Sequence, residues 1–284
     1  MSEAVDPARA AGWIDPPPRK GFFTDTSICI GCKACEVACK EWNGVPEDGL
    51  LSMLGSSYDN TGALGASTWR HVAFVEQRSP TDPGETGRPG DFRWLMSSDV
   101  CKHCTHAACL DVCPTGSLFR TEFGTVVVQD DVCNGCGYCV PACPFGVIDR
   151  RIGEQGARNV GIAQKCTLCY DRLGAGSAPA CAQACPTQSI QFGDVDELRE
   201  RAAGRLAALH DAGMAEARLY GEDPGDGIGG AGAMFLLLDD PEVYGLPPDP
   251  VVSTRDLPVM WRRAGLAALT LLAGAAAAFV GGSS

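Results

Sequence analysis

Basic residues are in short supply: 23 Lys and Arg face 35 Asp and Glu, a formal charge of −12 at pH 7 over 284 residues. A chain that neutralises phosphates needs a basic face, so nucleic acid is excluded as a partner. Histidine is scarcer still, with only His71, His103, His106 and His210. Residues 1–20 hold Pro16, Pro17 and Pro18 among scattered charges and no apolar run, which reads as an extended arm and not as a signal peptide. No P-loop, nucleophile elbow or C-x-x-C-H haem attachment site is present. Gly225 to Gly230 lacks the preceding strand and following helix of a dinucleotide fingerprint and reads as a flexible loop. The chain shows no substrate chemistry of its own.

Cysteine is what the chain has in excess. Its 16 cysteines fall into four groups: Cys29, Cys32, Cys35, Cys39; Cys101, Cys104, Cys109, Cys113; Cys133, Cys136, Cys139, Cys143; and Cys166, Cys169, Cys181, Cys185. The first and third match the C-x2-C-x2-C-x3-C run of cuboidal iron–sulfur proteins. Three cysteines two residues apart can aim their sulfurs at three irons of one cube, and the fourth iron takes a thiolate from elsewhere. Four groups of four therefore predict four 4Fe-4S clusters. Gly31, Gly135 and Gly137 allow close backbone approach within the runs. Pro114, Pro144 and Pro186 follow the last Cys of three groups and turn the chain away, whereas Cys39 is followed by Lys40.

Thr105 to Ala108 and Tyr170 to Ala180 stretch the spacing of the second and fourth groups and are expected to be surface loops. Disulfides do not ask for repeated C-x-x-C spacing, and zinc uses two separated pairs without a third Cys two residues on, so neither explains all four groups. His103 and His106 lie inside the second group but are read as polar neighbours, because four thiolates are already present.

The expected fold is α+β: two nested ferredoxin-like modules, each binding two clusters, with insertions and a C-terminal single transmembrane helix. Residues 1–20 form the arm. Residues 21–66 and 160–193 form a first, split module, because strand-like Gly21 to Thr24 and Ser189 to Phe192 flank groups one and four. Residues 100–159 form the second module, with a hairpin between Ser117 and Val128. The insertion 67–99 carries strands at 67–77 and 92–96 around a Pro- and Gly-rich loop at 80–90. Residues 194–257 extend the chain, beginning with a helix capped by Asp194, with Val195, Leu198, Ala202, Leu206 and Leu209 on one face and Gly213 at its end.

Residues 258–284 are expected to anchor the protein in the cell membrane. Ala264 to Gly282 is uncharged and, at ~1.5 Å per residue, nearly crosses a ~30 Å hydrocarbon core, with Trp261, Arg262 and Arg263 as its collar. The alternative is a helix packed on a partner, since alanine contributes little to insertion. The segment has neither His nor an acidic residue, so haem ligation and quinone chemistry belong to another subunit.

Cys29-Ile-Gly-Cys-Lys-Ala-Cys-Glu-Val-Ala-Cys-Lys-Glu-Trp-Asn43 resembles the iron–sulfur (beta) subunit of membrane-bound, formate dehydrogenase-N type enzymes. Cys133 to Phe145, Lys165 to Arg172, Cys181 to Thr187, Ala217 to Gly221 and Tyr244 to Pro247 resemble it too. The resemblance implies a non-catalytic electron-transfer subunit. Its partners would be a molybdopterin (molybdenum or tungsten) catalytic alpha subunit that oxidises formate and a membrane cytochrome b or other quinone-reactive gamma subunit. It also implies shared ligation: Cys29, Cys32 and Cys35 with Cys185; Cys166, Cys169 and Cys181 with Cys39; Cys101, Cys104 and Cys109 with Cys143; Cys133, Cys136 and Cys139 with Cys113. The side of the membrane stays open: Arg262 and Arg263 favour a cytoplasmic body, and the resemblance implies the outer face. Two other readings are the equivalent subunit of a hydrogenase or another molybdopterin reductase, and a self-standing membrane-tethered polyferredoxin.

Overall fold

Lys20–Asp25 (β1) is buried along nearly its whole length, as befits a strand covered on both faces. The computed structural model describes residues 6–47, 61–78, 92–153 and 159–281. β1 pairs antiparallel with β8 (Ile190–Asp194), from Lys20 opposite Asp194 to Thr24 opposite Ile190. This is the pairing of outer strands expected from the sequence. On its other edge β1 runs parallel to β10 (Ala233–Leu237), which pairs antiparallel with β9 (Arg218–Tyr220), giving the order β8-β1-β10-β9.

The period-2 alternation of strands sorts this sheet into two faces. Phe23, Met234 and Leu236 pack against Val195, Leu198, Ala202 and Leu209 of the helix α7 (Val195–Asp211). Phe22, Ala233, Phe235 and Leu237 point the other way, into a core shared with Cys35, Cys101, Cys166 and Cys181. Each fully buried Leu on the α7 side contributes about 1.5–3 kcal/mol by leaving water. Asp194 stands at the N-terminal boundary of α7 but does not cap it, because its carboxylate instead accepts from Lys20 Nζ across the strand pair. The helix closes as expected at Gly213, whose φ of 89° lets Met214 N donate to Leu209 O at 2.9 Å.

The insertion is a long hairpin, β2 (Arg70–Arg78) against β3 (Phe92–Val100), paired from Arg70 opposite Val100 to Arg78 opposite Phe92. It delivers the chain directly to Cys101; the loop expected at 80–90 lies outside the described residues. Beyond Cys113 the chain forms the expected hairpin, β4 (Leu118–Arg120) with β5 (Val126–Val128), and a short pair, β6 (Asp149–Arg150) with β7 (Ala163–Gln164). The helices that precede α7 are α1 (Pro7–Ala10), α2 (Ala34–Asn43), α3 (Ala108–Asp111), α4 (Cys139–Ala142), α5 (Tyr170–Gly174) and α6 (Ala180–Gln183). α2 packs on α6 and α3 on α4, so each contact joins two cysteine groups.

Three further expectations need correction. The stretch Thr105 to Ala108 is not a surface loop: Ala107 and Ala108 are buried beneath residues 226–231, where Thr105 N donates to Gly230 O at 3.0 Å and His106 N to Ile228 O at 2.8 Å. For the same reason Gly225 to Gly230 is no free loop. The third concerns the C-terminus. Residues 257–281 form α8 (Leu257–Gly281), but among the described residues no helix is long and apolar enough to cross a membrane. Alanine and glycine dominate the segment and two arginines sit in its first turns. α8 nevertheless leaves Trp261, Leu266, Leu269, Leu271 and Leu272 exposed.

Candidate metal centres

None of the 16 cysteines is in a disulfide. Cys35 and Cys39 lie four residues apart on α2 and are both buried, so their sulfurs leave the same helix face. Cys109, Cys139 and Cys181 sit on the short helices α3, α4 and α6. Gly31 and Gly135 have φ of 64° and 70°, and a Cβ on Gly135 would stand 2.5 Å from Gly161 O, so glycine is required in both runs.

The groups interlock through space. Cys29 feels the charges of Cys35 and Cys185, and burial is the main reason its thiol pKa is raised. Cys39 is raised by burial and then by Cys181 and Cys169. Asn43, at the end of α2, reaches Cys39 Sγ at 3.7 Å and Cys169 Sγ at 3.8 Å with one amide nitrogen, tying group one to group four. Trp42 adds to that junction: its Nε1 donates to Asp171 at 2.8 Å and its ring lies 4.1 Å from the Arg172 guanidinium. Cys104 neighbours Cys101, Cys109 and Cys143. Cys139, raised to about 11 by burial, neighbours Cys133, Cys136 and Cys113.

Charges felt across groups link these neighbourhoods one to the next. Cys39 and Cys181 both feel Cys35, Cys166 feels Cys101, and Cys109 feels Cys139. Cys32 and Cys136 are the two exposed cysteines, and Cys136 neighbours Cys139 at one end of this series.

Burial raises most of these thiols, to about 12 at Cys109 and about 11 at Cys181, so bare thiolates there would be costly. Iron removes that cost by replacing the proton. Cys113 runs the other way: despite burial, the Ser117 hydroxyl at 3.3 Å and the Leu118 N–H bring it to about 7. Among the described residues no group of three or more His, Cys, Asp or Glu side chains could hold a single metal ion. A cube imposes a different demand, since each thiolate binds its own iron.

Several supporting residues carry no spacing signature and escape a reading of the sequence alone. Arg19 donates to Thr105 Oγ1 at 2.8 Å and His103 O at 2.7 Å, and Arg120 to Cys104 O at 2.8 Å and Thr105 O at 2.9 Å. Together they hold the backbone of group two. Trp13 Nε1 docks the N-terminal arm on Arg120 O at 2.9 Å. His103 is buried; its Nδ1 accepts from Val126 N at 3.1 Å, which leaves the proton on Nε2. That Nε2 has no partner and lines a cavity shared with Cys101, Cys104, Cys109, Cys143 and Lys165. An orphaned buried donor beside four thiols fits a sulfide-bearing group there, with His103 as neighbour and not ligand.

The description "4Fe-4S dicluster domain" matches twice, over residues 28–117 and 92–195. The formate dehydrogenase iron–sulfur subunit of Haemophilus influenzae is 41% identical over 243 residues, covering 84% of this chain and 71% of the relative. The formate dehydrogenase-O iron–sulfur subunit of Escherichia coli is 38% identical over 264 residues, 89% of this chain and 81% of the relative. The chain belongs to the formate dehydrogenase iron–sulfur subunits. A subunit of the anaerobic dimethyl sulfoxide reductase of Escherichia coli is 36% identical over a shorter stretch, 189 residues, 66% of this chain and 80% of the relative. Like its relatives, this iron–sulfur subunit is a non-catalytic electron-transfer component of a multi-subunit oxidoreductase, and it carries four 4Fe-4S clusters.

Proposed function

We propose that this iron–sulfur subunit relays electrons from a formate-oxidising molybdopterin catalytic subunit to a quinone-reactive membrane subunit. The observation that supports the reading is the series of thiols that neighbour one another from group to group, Cys35 with Cys39 and Cys181, Cys166 with Cys101, and Cys109 with Cys139, while Cys32 and Cys136 are the two exposed cysteines. Bound clusters supply one-electron oxidation and reduction. The protein's part is to fix their order, shield the middle and open the ends. Ile30 stands exposed two residues from Cys32 in the chain, and Tyr138 two residues from Cys136, which gives each an exposed apolar side chain for a partner.

The ligand sets we propose are Cys29, Cys32, Cys35 and Cys185; Cys39, Cys166, Cys169 and Cys181; Cys101, Cys104, Cys109 and Cys143; and Cys113, Cys133, Cys136 and Cys139. The Asn43 bridge between Cys39 and Cys169 supports the second set, and the neighbours of Cys104 and Cys139 support the third and fourth. The same crossings support a split first module, 21–66 with 160–193, enclosing a second at 100–159. α8, with its exposed apolar side chains, is proposed as the attachment element, covered in the complex by the membrane subunit and the bilayer around it.

Anaerobic purification of the complex tests this reading. A large molybdopterin protein should co-purify in stoichiometric amount, and the complex should reduce a dye with formate. Turnover with hydrogen, or with dimethyl sulfoxide as acceptor, in place of formate would assign the chain to another reductase. Recovery without any such partner would make it a free polyferredoxin.

A further inference from the structure

Arg70 opens β2 and is only 1% exposed. Its Nη1 donates to Ser98 O at 3.2 Å and to Ser98 Oγ at 3.0 Å, and its guanidinium lies 4.8 Å from the centroid of Phe22. Its Nε and Nη2 are buried with no partner, and no carboxylate among the described residues pairs with it. An unbalanced buried cation is costly, so something anionic must answer it. Burial works against its charge, yet Cys181, Cys35, Cys166 and Cys39 together outweigh burial and hold its pKa above the ordinary arginine value. Those four cysteines come from two of the proposed ligand sets, Cys35 from the first and the other three from the second.

Ser98 extends the contact. Because its Oγ accepts from Arg70, its own proton is left for Cys35 Sγ at 3.2 Å. Arg70 thus reaches one set through Ser98, and Phe22 beneath its guanidinium packs in the core that holds Cys166 and Cys181 of the other, while Nε and Nη2 remain unpartnered. Two other fully buried cations of this region are already answered, Lys102 by Asp99 and by Val100 O at 3.0 Å, and Lys165 by the Val126 carbonyl and by Cys166 O at 2.9 Å.

We propose that Arg70 is a positioning residue for electron transfer: its fixed charge and its free Nε and Nη2 serve the two clusters of the first module and raise both reduction potentials together. A cluster gains one electron and one negative charge on reduction, so a fixed cation between two clusters favours the reduced form of each. Ser98 adds a hydrogen bond to the Cys35 side alone. The inference rests on the ligand sets proposed above.

The test is redox titration of the anaerobic, full-chain complex, followed by electron paramagnetic resonance, with iron analysis on every sample. Arg70→Met should lower both first-module potentials by at least tenfold in the reduced-to-oxidised ratio at fixed ambient potential, equal to about 59 mV for one electron. The other two clusters should not move. Arg70→Lys should recover most of the shift, and Ser98→Ala should lower one potential only, that of the Cys35 cluster. Unchanged potentials in Arg70→Met, or an equal shift of all four, overturn the proposal. If Arg70→Met sheds iron, Arg70→Lys decides: iron and potentials near the native values support a role for charge, and behaviour like Arg70→Met overturns it. The ligand sets are tested separately by Cys35→Ser and Cys39→Ser, which must perturb different signals. If they perturb the same one, the sets fail whatever Arg70 does.

Discussion

Replacing Gly229 by alanine should loosen the cysteine group that lies beneath it. Gly229 has φ of 74°, and an added Cβ would stand 2.5 Å from His106 Cδ2 and 3.2 Å from Thr105 Cβ. The dihedral alone costs about 1–2 kcal/mol in an L-residue. Crowding against the His106 ring adds about 1–3 kcal/mol, typical of overpacking. The loss falls on the bonds that seat residues 226–231 on Thr105 and His106, between Cys104 and Cys109. Gly213→Ala is the matched control, because Gly213 has φ of 89° with nothing within 4 Å of the added Cβ. It should cost only the dihedral. Anaerobic heating, followed by cluster absorbance and released iron, should show Gly229→Ala losing one cluster's share of iron well below the temperature at which Gly213→Ala loses any. Equal behaviour of the two variants would refute the claim that this loop clamps group two.

Three further changes report on other parts of the molecule. Leu198→Ala, at a side chain 1% exposed in the α7 interface, should cost about 2–5 kcal/mol in anaerobic denaturant unfolding while the resonance spectra of the folded protein stay unchanged. Cys136→Ser should alter one cluster and stop quinone reduction while formate still reduces dye at the catalytic subunit; native iron content together with a native spectrum would contradict the assignment. A polypeptide ending at Asp256, without α8, should keep its full iron and leave the membrane fraction on mild salt washing, and membrane retention equal to that of the full-length protein would remove α8 from the attachment.

What the sequence made legible was local. Cysteine spacing is written within short windows, so cluster number and type follow from it, as do the hairpin at 118–128 and the apolar stripe of α7. The sequence was silent where one residue acts across a long separation. Arg70 and Ser98 meet Cys35 and Phe22 by way of the β2–β3 hairpin, and nothing in either residue's neighbourhood in the chain marks it. β10 reads as a short apolar run, but its place beside β1 depends on a parallel pairing between residues 22–25 and 233–236, which no turn dictates. The glycines from 225 to 230 announced a bend and hid what the bend covers. α8 shows the reverse error: an uncharged run long enough to suggest a span, whose alanine and glycine content makes it a weak one.

The charge balance of the whole protein also misleads about its interior. At −12 the protein is acidic, yet among the described residues the large charged side chains that are fully buried are Arg70, Lys102 and Lys165. Each lies against cysteine groups: Lys165 Nζ bonds Cys166 O at 2.9 Å and the Val126 carbonyl, and Lys102 packs over Phe145 and Phe235 at 5.1 and 4.9 Å. Four anionic clusters in one small protein repel one another and resist each added electron, in a medium that screens charge poorly. Buried cations near the thiols lower that resistance, and of the carboxylates near them the buried Glu36, beside Cys35, is bonded by the Val72 N–H. A net charge counted over the sequence sums these two populations and cancels the one that tunes the relay.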